Sequence, residues 1–256
     1  MKHLPNIITL GNLFCGCIAI AFIMTSQPYL VNLGGDPYWV TGTEQAYWGA
    51  IFIGIAGVLD VLDGLTARTL KLFSSIGKDL DSLADVVSFG VAPAMILFKM
   101  LWAANIAQPN AMEVSMWATT PAFLVACFGA LRLARFNVSA ASGATFTGLP
   151  IPAVGILIAS FPFINLYVPA AGVFFKNTWI LYGIIALVCW LMVSKITFFK
   201  LMPSKWDFKS LWPRLTLIAA AIVLFPMISF AAIPALFLLY IVLSLVYRNQ
   251  KIVTVE

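Results

Sequence analysis

The chain has 256 residues, of which 62% are hydrophobic and only 10% charged, against roughly 45–50% and about 25% in an ordinary soluble domain. At a mean hydropathy of +0.98 there is too little polar surface to cover a water-soluble globule, which excludes a disordered chain, a coiled coil and a soluble α/β enzyme. The net charge of +5 comes from 15 Lys and Arg against 10 Asp and Glu; in so apolar a chain the excess reads as membrane topology rather than nucleic-acid binding.

A helix that crosses a bilayer needs about 20 mostly apolar residues. Roughly eight stretches qualify in chain order: 7–25, 47–67, 83–102, 116–136, 149–168, 178–196, 211–227 and 230–247. The expected architecture is therefore all-α and polytopic. Lys2 followed by an apolar run imitates a secretory signal, but Pro5, Asn6, Thr9, Gly11 and Asn12 interrupt the run, so a retained first helix is expected. Only Ser229 and a few neighbours separate the last two stretches, with Pro226 and Pro234 close by, which reads as a helical hairpin, with one broken helix as the alternative. The cysteines Cys15, Cys17, Cys127 and Cys189 lie in apolar runs without metal-ligand spacing and read as packing residues.

Alternate connections are basic. Lys2, then Arg68, Lys71 and Lys78, then Arg132 and Arg135, then Lys195 through Arg214, then Arg248 and Lys251 place 13 of the 15 basic residues on one side. That side is expected to be the cytoplasm, with both termini on it. Trp206, Phe208 and Trp212 among the basic residues of the Lys195–Arg214 segment give it an interfacial character. The expected organisation is one membrane-embedded domain over 1–256: a six-helix catalytic core at 1–196, an interfacial segment at 197–210, and a C-terminal hairpin and tail at 211–256.

Five of the ten acidic residues fall between positions 60 and 85. Asp60 and Asp63 are spaced i, i+3, and Asp81 and Asp85 i, i+4, so each pair shares one helix face. Two neighbouring helices can thus present four carboxylates to one space near the membrane surface. A charge at the bilayer centre costs on the order of 3 kcal/mol, and like charges nearby add to that. Divalent hard cations, which take oxygen ligands, resolve the conflict. A pair of them bridges and polarises a phosphate. Gly64 leaves room for a ligand beside Asp63, Ala67 keeps the same face open, and Arg68 offers a planar fork suited to phosphate. The same carboxylates could instead line a cation or proton pathway.

The eight fixed positions of D-x2-D-G-x2-A-R-x8-G-x3-D-x3-D are all present from Asp60 to Asp85. This pattern resembles the signature of the CDP-alcohol phosphatidyltransferase family. Pro5-Asn6-Ile-Ile-Thr9-Leu-Gly-Asn12 looks like that family's first-helix entry. Arg132-Leu-Ala-Arg135-Phe-Asn137 and Phe146-Thr-Gly148-Leu-Pro150-Ile-Pro152 are similar to its membrane-embedded phosphatidylserine synthase branch. Together the matches cover roughly residues 4–155.

The resemblance implies a membrane enzyme that moves a phosphatidyl group from CDP-diacylglycerol to an alcohol, here L-serine, and releases CMP. It implies two divalent ions, Mg²⁺ or Mn²⁺, a homodimer and the lipid bilayer as partner. Carried over position by position, Asp60, Asp63 and Asp81 are expected metal ligands, and Asp85 is a ligand and also the catalytic general base. Gly64 and Arg68 are expected at the diphosphate, with Ser74, Asn6 and Thr9 near the nucleotide. Arg132, Arg135 and Asn137 are candidates for the acceptor, although the two arginines also suit positive-inside anchoring and Asn137 a helix cap. A sibling acceptor such as glycerol-3-phosphate, inositol phosphate or choline stays open. His3, the sole histidine, has no visible partner in the sequence.

Overall fold

A computed structural model describes residues 4–25, 28–33, 36–41, 43–70, 75–108, 115–141, 148–199 and 208–253. Lys2, His3, Ser74 and the middle of the expected interfacial segment, 200–207, lie outside the described residues. The elements in order are α1 (Leu4–Thr25), β1 (Pro28–Leu33), β2 (Asp36–Thr41), α2 (Thr43–Thr69), α3 (Ser75–Asp85), α4 (Ala92–Ile106), α5 (Leu124–Ala141), α6 (Ile151–Tyr167), α7 (Pro169–Gly172), α8 (Thr178–Val193), α9 (Phe208–Ile228) and α10 (Ala232–Val253). A π-helical segment, Val86–Val91, joins α3 to α4, and a 3₁₀ segment, Met116–Phe123, leads into α5.

All eight expected stretches are helical. Among the described residues five runs are long and apolar enough to cross a membrane, or six when the bent pair Ala170–Lys176 and Thr178–Val193 is taken as one span; Ile151–Tyr167 is a shorter apolar helix. The chain is a multi-pass membrane protein. Its surface agrees: Ile7, Phe14, Leu62, Leu83, Trp190, Ile222 and Met227 are exposed, a distribution that water penalises and hydrocarbon does not.

Leu211–Val246 forms one 36-residue apolar run. The chain reverses inside it, where Ser229 takes a left-handed φ of 50°. Arg214 and Tyr240, far apart in sequence, flank the same Phe199 ring, as only a folded-back α9–α10 allows. α9 and α10 fold back on each other.

Two features were not anticipated. The connection between α1 and α2 is an antiparallel two-stranded hairpin, with Pro28 opposite Thr41 and Leu33 opposite Asp36. The third helical stretch, expected from 83, already begins at Ser75, because α3 is amphipathic and carries too many polar residues for a hydropathy window to include it.

The segment Val86–Val91 and α4 form the centre of the bundle, with Phe89, Ile96, Leu97 and Leu101 fully buried among α1, α5, α6 and α8. Helices approach closely here through small residues, as membrane interiors favour. A Cβ on Gly155 would lie 2.9 Å from Phe89 Cβ, and one on Gly16 would lie 2.9 Å from Ser88 Cα. Ser88 Oγ donates to the Asn12 carbonyl at 3.0 Å, holding the π-helical segment against α1. Gly16→Val is expected to force this crossing apart and lower stability by about 1–3 kcal/mol; thermal unfolding of the purified protein in detergent measures it, and an unchanged midpoint would show that the crossing yields.

Gly148 has a φ of +85°, a conformation that suits glycine. Its N–H donates to the Ile196 carbonyl at 2.8 Å, and a Cβ there would lie 3.2 Å from the Met192 carbonyl carbon. Pro150 occupies the N-cap position of α6 and Pro152 lies in its first turn, so the Gly148–Pro152 run docks the start of α6 against the end of α8.

Candidate active site

Because α1 and α2 run antiparallel, Thr9 near the start of one meets Asp63 near the end of the other. The Thr9 hydroxyl lies 2.7 Å from Asp63 Oδ2 and 3.0 Å from the Pro5 carbonyl oxygen. Its single proton favours the shorter, charge-assisted bond to the carboxylate. Asp60 is one turn back on the same face of α2. Asp81 and Asp85 project from α3, again one turn apart, so the expected face-sharing of both pairs is realised.

The carboxylates of Asp60, Asp63 and Asp81 converge, with one oxygen from each lying within 4.8 Å of the others. Two like charges about 5 Å apart repel by roughly 3 kcal/mol at an effective dielectric constant of about 20. Asp63 and Asp85 are each only 6% exposed, so water screens them poorly. Asp85 adjoins the cluster and acts electrostatically on it. Among the described residues, Asp81 and Asp85 each keep a buried Oδ1 with no hydrogen-bond partner. An all-oxygen donor set with unused lone pairs fits a hard divalent ion; the cluster of Asp60, Asp63 and Asp81 is suited to hold one.

The position of α3 is set from α5. Asn137 Nδ2 donates to Ser82 Oγ at 2.8 Å, and Lys78 Nζ donates to the Asn137 carbonyl at 3.1 Å. Ser82 stands between Asp81 and Asp85, so this clamp fixes the turn that carries both carboxylates. Asn137 lies inside α5, which runs on to Ala141; it is an interhelix tie and not the helix cap considered from the sequence. Ser82, a variable position of the signature, has no signal in the sequence that singles it out.

Arg132, one turn and a half before Asn137, is half-buried and acts electrostatically on Asp85. Its guanidinium lies 5.2 Å from the Phe136 ring centroid, and its Nε is buried with no hydrogen-bond partner among the described residues. Arg135, about one turn further along α5, is exposed. The Arg68 guanidinium folds back along α2, where a Cβ on Gly64 would lie 3.5 Å from its Nη2; half-buried Gly64 and exposed Arg68 adjoin Asp63 on this helix. Asn6 is half-buried one turn before Thr9. The structure therefore brings together Thr9, Asp60, Asp63, Asp81, Asp85 and Arg132, with Gly64, Arg68 and Asn6 around them.

A family model described as CDP-alcohol phosphatidyltransferase matches residues 2–198. The chain belongs to the CDP-alcohol phosphatidyltransferase family. The matched region includes every fixed position of the signature and all the helices that supply the carboxylate cluster, and it ends before α9. Among similar proteins is the CDP-diacylglycerol–serine O-phosphatidyltransferase of Bacillus subtilis, 31% identical over 77% of this chain and 90% of the relative. The protein of that name from Helicobacter pylori strain J99 is 30% identical over 97% of this chain and 93% of its own length. The archaetidylserine synthase of Methanothermobacter thermautotrophicus is 35% identical over 58% of this chain and 56% of its own. As a CDP-alcohol phosphatidyltransferase, the protein has its acidic site at the end of the bundle opposite the β1–β2 hairpin.

Proposed function

We propose that the protein transfers the phosphatidyl group of CDP-diacylglycerol to the hydroxyl of L-serine, producing phosphatidylserine and CMP. The observation that carries this reading is the convergence of Asp60, Asp63 and Asp81 beside a buried Asp85 that faces Arg132, in a chain whose relatives over most of its length carry the serine transferase name.

In this reading Asp60, Asp63, Asp81 and Asp85 hold Mg²⁺ or Mn²⁺, most simply as two ions. When bound, such ions neutralise charge on the diphosphate and on the departing CMP. Thr9 orients Asp63 through its hydrogen bond. Gly64 leaves backbone room for the diphosphate, and Arg68 grips it with paired donors. Asn6 and, on the family resemblance alone, Ser74 are assigned to nucleotide binding.

Serine's hydroxyl is a weak nucleophile at neutral pH, so a base within hydrogen-bond reach is required. Asp85 takes that proton. The serine oxygen forms a bond to the phosphorus that carries diacylglycerol, and the bond from that phosphorus to the CMP oxygen breaks. Arg132 provides the positive charge opposite Asp85 and receives the acceptor. The acyl chains remain among the helices and lipid, while the headgroup chemistry takes place at the polar end.

That end is assigned to the cytoplasm. Arg68, Lys78, Arg132, Arg135, Lys195 and Arg214 belong to helix ends on the carboxylate side of the bundle, whereas Lys99 and Lys176 belong to the other, and basic residues are retained inside. The enzyme is assigned as a homodimer on the family resemblance.

Serine-dependent CMP release by purified protein with CDP-diacylglycerol, abolished by EDTA, tests the function. Release with another alcohol in place of serine would keep the chemistry and replace the acceptor. Arg68→Ala is expected to weaken CDP-diacylglycerol binding by about tenfold. Calorimetric titration in detergent measures this, and an unaltered dissociation constant would remove Arg68 from the diphosphate.

A further inference from the structure

Asn12 of α1 is fully buried, and neither Oδ1 nor Nδ2 of its amide has a hydrogen-bond partner among the described residues. A buried amide left unpaired is costly, and the hydrocarbon of a bilayer offers it no relief. Asn12 has no part in the chemistry proposed above.

The packing of α1 fixes what stands beside this amide. Against α2 the helix runs antiparallel, and three contacts set the register. The Thr9 hydroxyl lies 2.7 Å from Asp63 Oδ2. A Cβ on Gly11 would lie 3.5 Å from Leu59 Cδ1, and one on Gly49 would lie 2.9 Å from the Ala19 carbonyl oxygen. Asn12, three residues after Thr9, is therefore level with Asp60, three residues before Asp63. Against α3 and the π-helical segment α1 runs parallel. Ser88 Oγ donates to the Asn12 carbonyl at 3.0 Å, and a Cβ on Gly16 would lie 2.9 Å from Ser88 Cα. One turn back from that crossing, Asn12 is level with Ala84 and Asp85 at the end of α3. The main neighbours of α1 are α2, α3, the π-helical segment and α4, and α4 begins about a turn beyond Ser88. The buried Asn12 side chain is enclosed between the turns that carry Asp60 and Asp85, one turn deeper in the bundle than the Thr9–Asp63 bond.

We propose that Asn12 is a neutral oxygen ligand at the deep end of the acidic site, its Oδ1 serving a divalent ion shared with Asp60 and Asp85. The proposal rests on the metal-holding part of the reading above. A carboxamide oxygen is a hard donor of the kind such ions accept. It adds no charge to four carboxylates that already repel one another. The same amide answers a second unpaired group. Asp85 Oδ1 is buried without a partner among the described residues, and Asn12 Nδ2 is a donor at its level. Ligation through Oδ1 leaves Nδ2 to donate to Asp85, which orients that carboxylate. A leucine here matches the shape and offers neither atom; an aspartate offers the oxygen without the donor.

Mn²⁺ titration of the full chain in detergent micelles, followed by electron paramagnetic resonance, tests this without reference to turnover. Asn12→Leu is expected to weaken Mn²⁺ binding by about tenfold. Asn12→Cys replaces the hard oxygen with a soft thiolate and carries the test if Asn12→Leu does not fold. It is made in a Cys15→Ala background, because Cys15 is the next cysteine along α1. With Cd²⁺ it is expected to give a thiolate-to-metal absorption that the Cys15→Ala parent lacks and that excess Mn²⁺ removes. Unchanged Mn²⁺ affinity in folded Asn12→Leu would overturn the proposal, as would a Cd²⁺ absorption no greater than the parent's. An absorption that persists when Asp60→Asn is added would place the thiol outside the acidic site and overturn it too. Wild-type protein that binds no Mn²⁺ would overturn the metal reading together with this ligand. Mn²⁺ binding sensitive to Asn12, without CMP release on any alcohol, would overturn the transfer reading and support the ligand.

Discussion

Asp85→Asn is expected to lower kcat by about a hundred- to ten-thousandfold, the range that a positioned general base contributes, while CDP-diacylglycerol binding stays near wild type. The amide is nearly isosteric and keeps an oxygen that can ligate, but it cannot take the proton from the acceptor hydroxyl. Asp85 is the most enclosed member of the set together with Asp63, each 6% exposed, so no solvent base can readily replace it. Arg132, its electrostatic partner, remains in place in the variant, which restricts the change to one group. CMP release under saturating substrates measures the effect, with lipid-nucleotide binding measured in parallel. Activity near wild type would assign the base elsewhere. Loss of activity together with loss of binding would make Asp85 chiefly a ligand.

Asp60→Asn and Asp63→Asn are each expected to weaken divalent-ion binding by more than about a hundredfold and to reduce turnover in proportion. The three converging carboxylates, with oxygens within 4.8 Å of one another, derive their affinity for a hard cation from summed negative charge, and removal of one charge also relieves the repulsion that the cation offsets. The readout is Mn²⁺ binding by electron paramagnetic resonance, which does not depend on turnover. The Asp63 variant also loses the charge-assisted character of the Thr9 bond, so Thr9→Val serves as a milder companion, with a smaller loss of affinity. Mn²⁺ binding unchanged in both Asp variants would remove the α2 carboxylates from the metal site.

The contrast between Asp81 and Ser82 shows how far a linear reading reaches. The carboxylates announce themselves because charge in an apolar chain is costly and because their spacings coincide with helix geometry. Ser82 sits next to Asp81 in the same helix, yet its importance arises from Asn137, which is 55 positions away and donates to it at 2.8 Å. Asn137 was legible as a residue of interest only through the family resemblance, and its geometric role as a tie to α3 was not legible at all. The start of α3 was hidden for a related reason: an amphipathic helix at the membrane edge has no sustained apolar run for a hydropathy window to detect. The π-helical turn Val86–Val91 was hidden because it depends on how Ser88 and Phe89 pack against Asn12, Gly16 and Gly155.

The sequence by itself determined the medium, the helical class, the approximate spans, the C-terminal hairpin and the four carboxylates with their pairing. All of these follow from local quantities: composition, the length of apolar runs and residue spacing on a single helix. Only the tertiary structure decided that Thr9 meets Asp63, that Arg132 lies within electrostatic range of Asp85, that α5 clamps α3, and that Arg214 and Tyr240 flank the Phe199 ring. Those relations join helices far apart in the chain, and they depend on which faces of those helices pack together, set by close approaches at Gly16, Gly148 and Gly155 and by the burial of Phe89. Spacing along one helix is a property of the chain, whereas distance between two helices is a property of their packing.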